Sequence, residues 1–127
     1  MRTIVRNSGD VKTAVEKLWE ERCAFVQEQA ARFPVATILL AVAHAHGLTV
    51  DDLRAYDRRK AVSLARHHAI WELRRRRLDL SFQQIAAKLN RTNHATALHA
   101  FGVFREHVKR GGFAAERAAV EKELSGE

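Results

Sequence analysis

Leu80–Phe101 reads LSFQQIAAKLNRTNHATALHAF. Phe82, Ile85, Ala86 and Leu89 stand at spacings i, i+3, i+4 and i+7, the apolar stripe of a short amphipathic helix. Ser81 precedes the stripe, where an N-cap belongs. Asn90, Arg91 and Thr92 then interrupt the pattern. Asn93 is a good cap for a second helix, whose expected buried side is Leu98, Phe101, Phe104 (or the stem of Arg105) and Val108. Gly111 and Gly112 stop that helix. A short helix, a tight polar turn and a longer helix predict a helix-turn-helix unit.

Working outward, the periodicity is helical nearly throughout. Val11, Val15, Leu18, Trp19, Arg22, Val26 and Phe33 predict one long amphipathic helix from Asp10 to about Arg32, with Ser8 or Asp10 as its cap. Pro34 ends it and suits the start of the next helix, PVATILLAVAHAH, which closes at Gly47. Thr49 and Asp52 form a capping-box pair that opens a short helix from Val50 to about Ala55. Tyr56 to Lys60 reads as a basic loop. Ala61–Arg77 is a further helix, with Val62, Ala65, Ala69, Ile70 and Leu73 as its apolar side. Ala114–Leu124 is a short acidic helix or a fraying tail. The fold class expected is all-α: a helix-turn-helix bundle over residues 34–110, a long extra helix over 1–33 and a short acidic C-terminal tail over 111–127.

The 127 residues carry a formal net charge of +7, and its placement matters more than its size. Between Arg54 and Arg77 nine Lys/Arg face only Asp57 and Glu72, whereas residues 1–53 are nearly neutral and the last 17 are acidic. A positive block in mid-chain points to a polyanionic partner. Cys23 is the single cysteine, which excludes an intramolecular disulfide and a Cys-x-x-Cys zinc site; it is expected as a small buried hydrophobe. The first residues lack an apolar signal region, and the longest apolar run, VATILLAVA, is too short to span a bilayer. A cytoplasmic, nucleoid-associated protein is the expectation.

In a helix-turn-helix the first turn of the second helix enters the major groove. Side chains there must be short and must carry donors and acceptors for base edges and phosphates, while acids are repelled. Arg91, Thr92, His94 and Thr96 meet that requirement, Ala95 suits a thymine methyl, and Asn93 caps more than it reads. His44 and His46 stand two apart and His67 and His68 are adjacent, so neither pair shares a helical face for metal binding; neither metal nor cofactor is expected. His99 is expected to be half-buried, and Trp19 and Trp71 are expected in the core. No nucleophile–base pattern is visible, and the chain is not expected to be an enzyme.

The blocks GLTVDDL, RRKAVSLARHHAIWEL, LSFQQIAAKL and NHATALHA, in that order, resemble the C-terminal DNA-binding domain (domain IV) of the bacterial chromosomal replication initiator DnaA. The resemblance covers about residues 35–108 and is most specific at His94, Thr96, Leu98, His99 and Ala100. It implies a fold like that domain's and contacts to double-stranded DNA. Arg58, with Arg59 and Lys60 close by, would enter the minor groove from the basic loop. Arg66 and His67 would act at the start of the long helix, with Arg74 further along it; Arg75, in the same basic run, is expected to contact phosphate. Asn93, His94, Ala95 and Thr96 would occupy the recognition positions. Three departures stand out. Asn90-Arg91-Thr92 replaces Gly-Gly-Arg, Asn93 and Ala95 replace an aspartate and a threonine, and His67 replaces a glutamine. The sequence holds no phosphate-cradling G-x-x-x-x-G-K-S/T loop, so the resemblance implies a stand-alone relative of the duplex-binding domain without the ATPase. Regulation of replication initiation or of transcription is the function expected. A protein-interaction regulator that contacts the initiator or its inactivating ATPase is the alternative, and the N-terminal stripe also offers a homodimer contact.

Overall fold

The computed structural model describes residues 3–126, with side chains from residue 13 onward. Seven helices and no strand occur among the described residues: α1 (Thr3–Arg32), α2 (Val35–Ala45), α3 (Val50–Arg54), α4 (Lys60–Arg76), α5 (Phe82–Lys88), α6 (His94–Lys109) and α7 (Ala114–Ser125). No helix among them is long and apolar enough to cross a membrane.

Local signals set most boundaries. Thr49 accepts from the Asp52 N–H while the Asp52 carboxylate accepts from the Thr49 N–H, the reciprocal pair that opens α3. Ser81 and Gln84 do the same for α5. Asn93 accepts from the Ala95 N–H and opens α6. Gly47 (φ +68) and Gly111 (φ +76) take the left-handed conformation that ends α2 and α6. The start of α1 differs from expectation. The helix runs from Thr3, so Ser8 and Asp10 lie inside it rather than capping it; their side chains, and that of Val11, lie outside the described residues.

The core forms where α2, α4, α5 and α6 meet, closed below by α7 against α2. Ile38, Leu39 and Val42 of α2 are fully buried, as are Ala65, Ala69, Ile70 and Leu73 of α4 and Ile85 of α5. Val120 of α7 joins the same cluster. The buried side of α6 is Ala97, Ala100 and Phe104, one residue round from the side expected; Phe101 and Val108 are half-buried and Leu98 is 52% exposed. Small alanines let α6 approach α4 closely, and Phe104 fills the space by stacking on His68 at 4.6 Å.

A polar chain crosses this core. His46 and His68 share a hydrogen bond (2.8 Å), His68 bonds Glu72 (3.1 Å), and Arg76 donates to Glu72 (2.9 Å) and reaches Glu121 on α7. Burial alone would raise the Glu72 pKa. The His68 bond and the Arg76 charge outweigh it and hold the carboxyl below its ordinary value. Full pairing is what lets a carboxylate sit at 1% exposure.

Two further expectations fail. Trp19 is 67% exposed, because α1 has no substantial packing partner among the described helices. For the same reason Cys23 is only half-buried. Trp71 does pack inward, beside Phe104 and under the Arg75 guanidinium.

Candidate nucleic-acid interface

The first turn of α6 is solvent-facing: Thr92, Asn93, His94, Ala95 and Thr96 are all exposed. Capping by Asn93 leaves the neighbouring side chains free to point outward. His94 lies beside Ser81, Phe82 and Gln83 at the start of α5. Thr96 borders a cleft of about 340 Å³ shared with Tyr56, Arg58, Ser63, Arg66 and Arg91. The helix tip therefore sits between the opening of α5 and the basic loop. Ala95, Leu98 and His99 continue the exposed ridge along α6.

His99 is thus exposed rather than half-buried, a correction that follows from the one-residue rotation of the α6 core face. Leu98 and His99 are ridge residues that reading the sequence missed. The signal was present in Ala97, Ala100 and Phe104, whose i, i+3, i+7 spacing is as regular as that of the larger residues.

The basic loop and the turn before α6 are fastened together. Arg91 is half-buried, and its guanidinium donates to the carbonyl oxygens of Leu89 (3.0 Å), Asn90 (3.4 Å) and Ala55 (2.9 Å). It also covers the Tyr56 ring, 4.9 Å from the centroid. Arg54 donates to the Lys88 carbonyl (3.1 Å). Asn90 takes φ +57, which glycine adopts freely and asparagine tolerates better than most residues. Arg66 is 7% exposed and donates to the carbonyls of Leu53, Ala55 and Asp57. Burial and the nearby Arg91 charge lower its pKa, although the Asp57 charge opposes this.

The remaining basic residues divide by position. Arg58, Arg59 and Lys60 are exposed at the start of α4. Arg59 clasps Asp57 through its side chain and its backbone, bonds that hold the Asp57 carboxyl below its ordinary pKa. At the other end of α4, Arg74 donates to the Leu80 carbonyl and lies over Phe82, on the α5 side. Arg75 turns the other way, over Trp71 and toward Glu121 of α7. His67 is half-buried with an unbonded Nδ1. Burial, with the charges of His99, Arg66 and His107, pushes its pKa down to about 4, so it is neutral at pH 7.

Among the described residues no group of three or more His, Cys, Asp or Glu converges on a metal position. Exposed donors at a helix tip, a cationic loop beside it and a rigid joint between the two can grip a groove and its phosphates.

Comparison with known proteins bears on this geometry. Residues 35–102 match the family described as bacterial dnaA protein helix-turn-helix, a span from the start of α2 to the middle of α6. A chromosomal replication initiator protein DnaA of Desulfatibacillum aliphaticivorans is 43% identical over 65 residues, 51% of this chain and 14% of that protein. The chain thus spans only a small part of that relative's length. No solved structure matches.

Proposed function

The chain belongs to the bacterial DnaA helix-turn-helix family, and from that premise we propose that it binds double-stranded DNA and regulates replication initiation or transcription. The observation that carries this reading is the exposed first turn of α6 standing beside the loop that bears Arg58 and leads into α4 at Lys60. His94, Ala95 and Thr96, with Thr92 and the Asn93 cap, would meet base edges in the major groove. Arg58, Arg59 and Lys60 would follow the adjacent backbone or minor groove, and Arg74 would take a phosphate on the α5 side. Arg66 and Arg91 would act by holding the loop and turn in register, since their guanidinium groups are engaged by carbonyls. His67 would lie behind the ridge of α6. Arg75, drawn toward α7, would contribute least.

Selection of bound duplexes from a random pool tests the proposal. A short enriched box, lost in His94→Ala, supports it; recovery of unenriched DNA by the parent protein contradicts base readout. Departures from the family's recognition residues at Asn93 and Ala95 favour a second reading, regulation by contact with the initiator or its inactivating ATPase. Duplex binding too weak to respond to salt would favour that reading instead.

A further inference from the structure

We infer that α1 is a self-association helix that pairs two copies of this chain. Val15, Leu18, Trp19 and Phe25 lie along one side of α1 and are 57%, 64%, 67% and 48% exposed. No other helix among the described residues packs substantially on α1. A helix with an apolar stripe draws most of its stability from covering that stripe, so an uncovered one calls for a partner.

The spacing says what kind of partner. In the sequence, Val11, Leu18-Trp19 and Phe25-Val26 recur every seven residues, with Val15, Arg22 and Gln29 between them. A seven-residue repeat keeps its seam facing another long helix that winds around it, whereas a globular surface imposes no such period. Among the described helices only α1 has both the length and a free face; α4 and α6 are held in the core.

Charge points to a second copy. Arg22 lies in the middle of the stripe and Glu21 at its edge, and neither forms an ion pair among the described residues. A stranger's apolar groove would bury Arg22 without a counter-charge, which desolvation makes strongly unfavourable. In an antiparallel two-fold pair centred on these residues, i meets j and j meets i, so Arg22 of one copy faces Glu21 of its partner and the contact is made twice. The exposed area of the four apolar side chains is roughly 500 Å² per copy, and two copies reach the ~1,000 Å² floor of a specific interface. That predicts a dimer that forms at micromolar concentration. Its consequence, two duplex-binding faces on one particle, rests on the function proposed above; the association itself does not.

Sedimentation equilibrium of the full chain without DNA tests this. The apparent mass should rise with micromolar concentration from the 14.4 kDa of one chain toward twice that value. Leu18→Glu with Trp19→Glu should remain monomeric and keep the thermal transition of the helix-turn-helix body. Arg22→Glu and Glu21→Arg should each weaken the dimer about tenfold or more, and the two together should restore it. A parent chain that stays monomeric across that range, or a double reversal weaker than both single changes, overturns the inference. A monomer that still binds duplex leaves the DNA reading standing, and a dimer that does not bind duplex overturns that reading alone.

Discussion

Arg91→Ala separates a residue that holds the interface from one that touches DNA. The change removes two well-formed bonds, to Leu89 (3.0 Å) and Ala55 (2.9 Å), a longer one to Asn90, and the cover over Tyr56. Partly solvated hydrogen bonds of this kind contribute roughly 0.5–1.5 kcal/mol each, and an exposed cation–π contact about 0.5–1 kcal/mol. The Ala55 carbonyl keeps its bond from Arg66, while the Leu89 carbonyl loses the Arg91 guanidinium. The sum is about 2 kcal/mol, which in a domain of this size lowers Tm by roughly 8 °C. Freed from the loop, the turn samples other geometries, and affinity falls on every duplex by up to about 30-fold. The slope of log affinity against log salt stays as in the parent, because no phosphate contact is lost. Differential scanning calorimetry and anisotropy titrations at several salt concentrations provide both readouts. An unchanged Tm with a slope shallower by about 0.9, or with relaxed preference at one base pair, would refute the holding role and make Arg91 a DNA contact.

Other perturbations report on other parts of the account. His94→Ala should lose about 1–3 kcal/mol of discrimination between boxes while changing non-specific affinity little, as competition titrations would show. Arg58→Ala and Lys60→Ala should weaken all duplexes alike and each lower the salt slope by about 1, whereas Arg75→Ala, facing α7, should leave the slope unchanged. Glu72→Ala strips the buried partner from His68 and Arg76 and should cost about 3–5 kcal/mol in urea unfolding, with Glu72→Gln milder. Folding stability should also fall between pH 6.5 and about 4. Over that window the unfolded chain takes up a proton that His67 refuses in the folded state, so stability rises with pH. His46, whose pKa burial and the His68 charge also lower, acts in the same sense. The full His67 shift corresponds to about 3 kcal/mol, reduced to roughly 1–2 kcal/mol because the ring keeps some solvent contact. His67→Gln should flatten that part of the pH profile.

The fold was legible wherever one residue settles a local question. Ser81, Thr49 and Asn93 opened helices because their side-chain oxygens take N–H groups that the helix leaves unpaired. Gly47 and Gly111 closed helices because they take positive φ. Rotation of a helix about its axis was harder to read. On α6 the eye favours Leu98 and Phe101, yet the residues buried are Ala97, Ala100 and Phe104, and the buried face shifts accordingly. On α1 the apolar stripe was legible, but a stripe does not say whether its cover lies in the same chain; that misplaced Trp19 in the core. At the interface, the exposed tip from Thr92 to Thr96 followed from the polar run itself. The fastening of Arg91 and Arg66 to Ala55 could not be read from sequence. It joins residues 36 and 11 positions apart, and only the folded backbone puts that carbonyl between the two guanidinium groups.

The grip on duplex DNA is tested most directly by titrating a labelled duplex with the full chain over a range of salt concentrations. Four to five cationic contacts from Arg58, Arg59, Lys60, Arg74 and their neighbours predict affinity falling steeply, with a log–log slope of about −4. A slope indistinguishable from zero, or no measurable binding at low salt, would contradict the account.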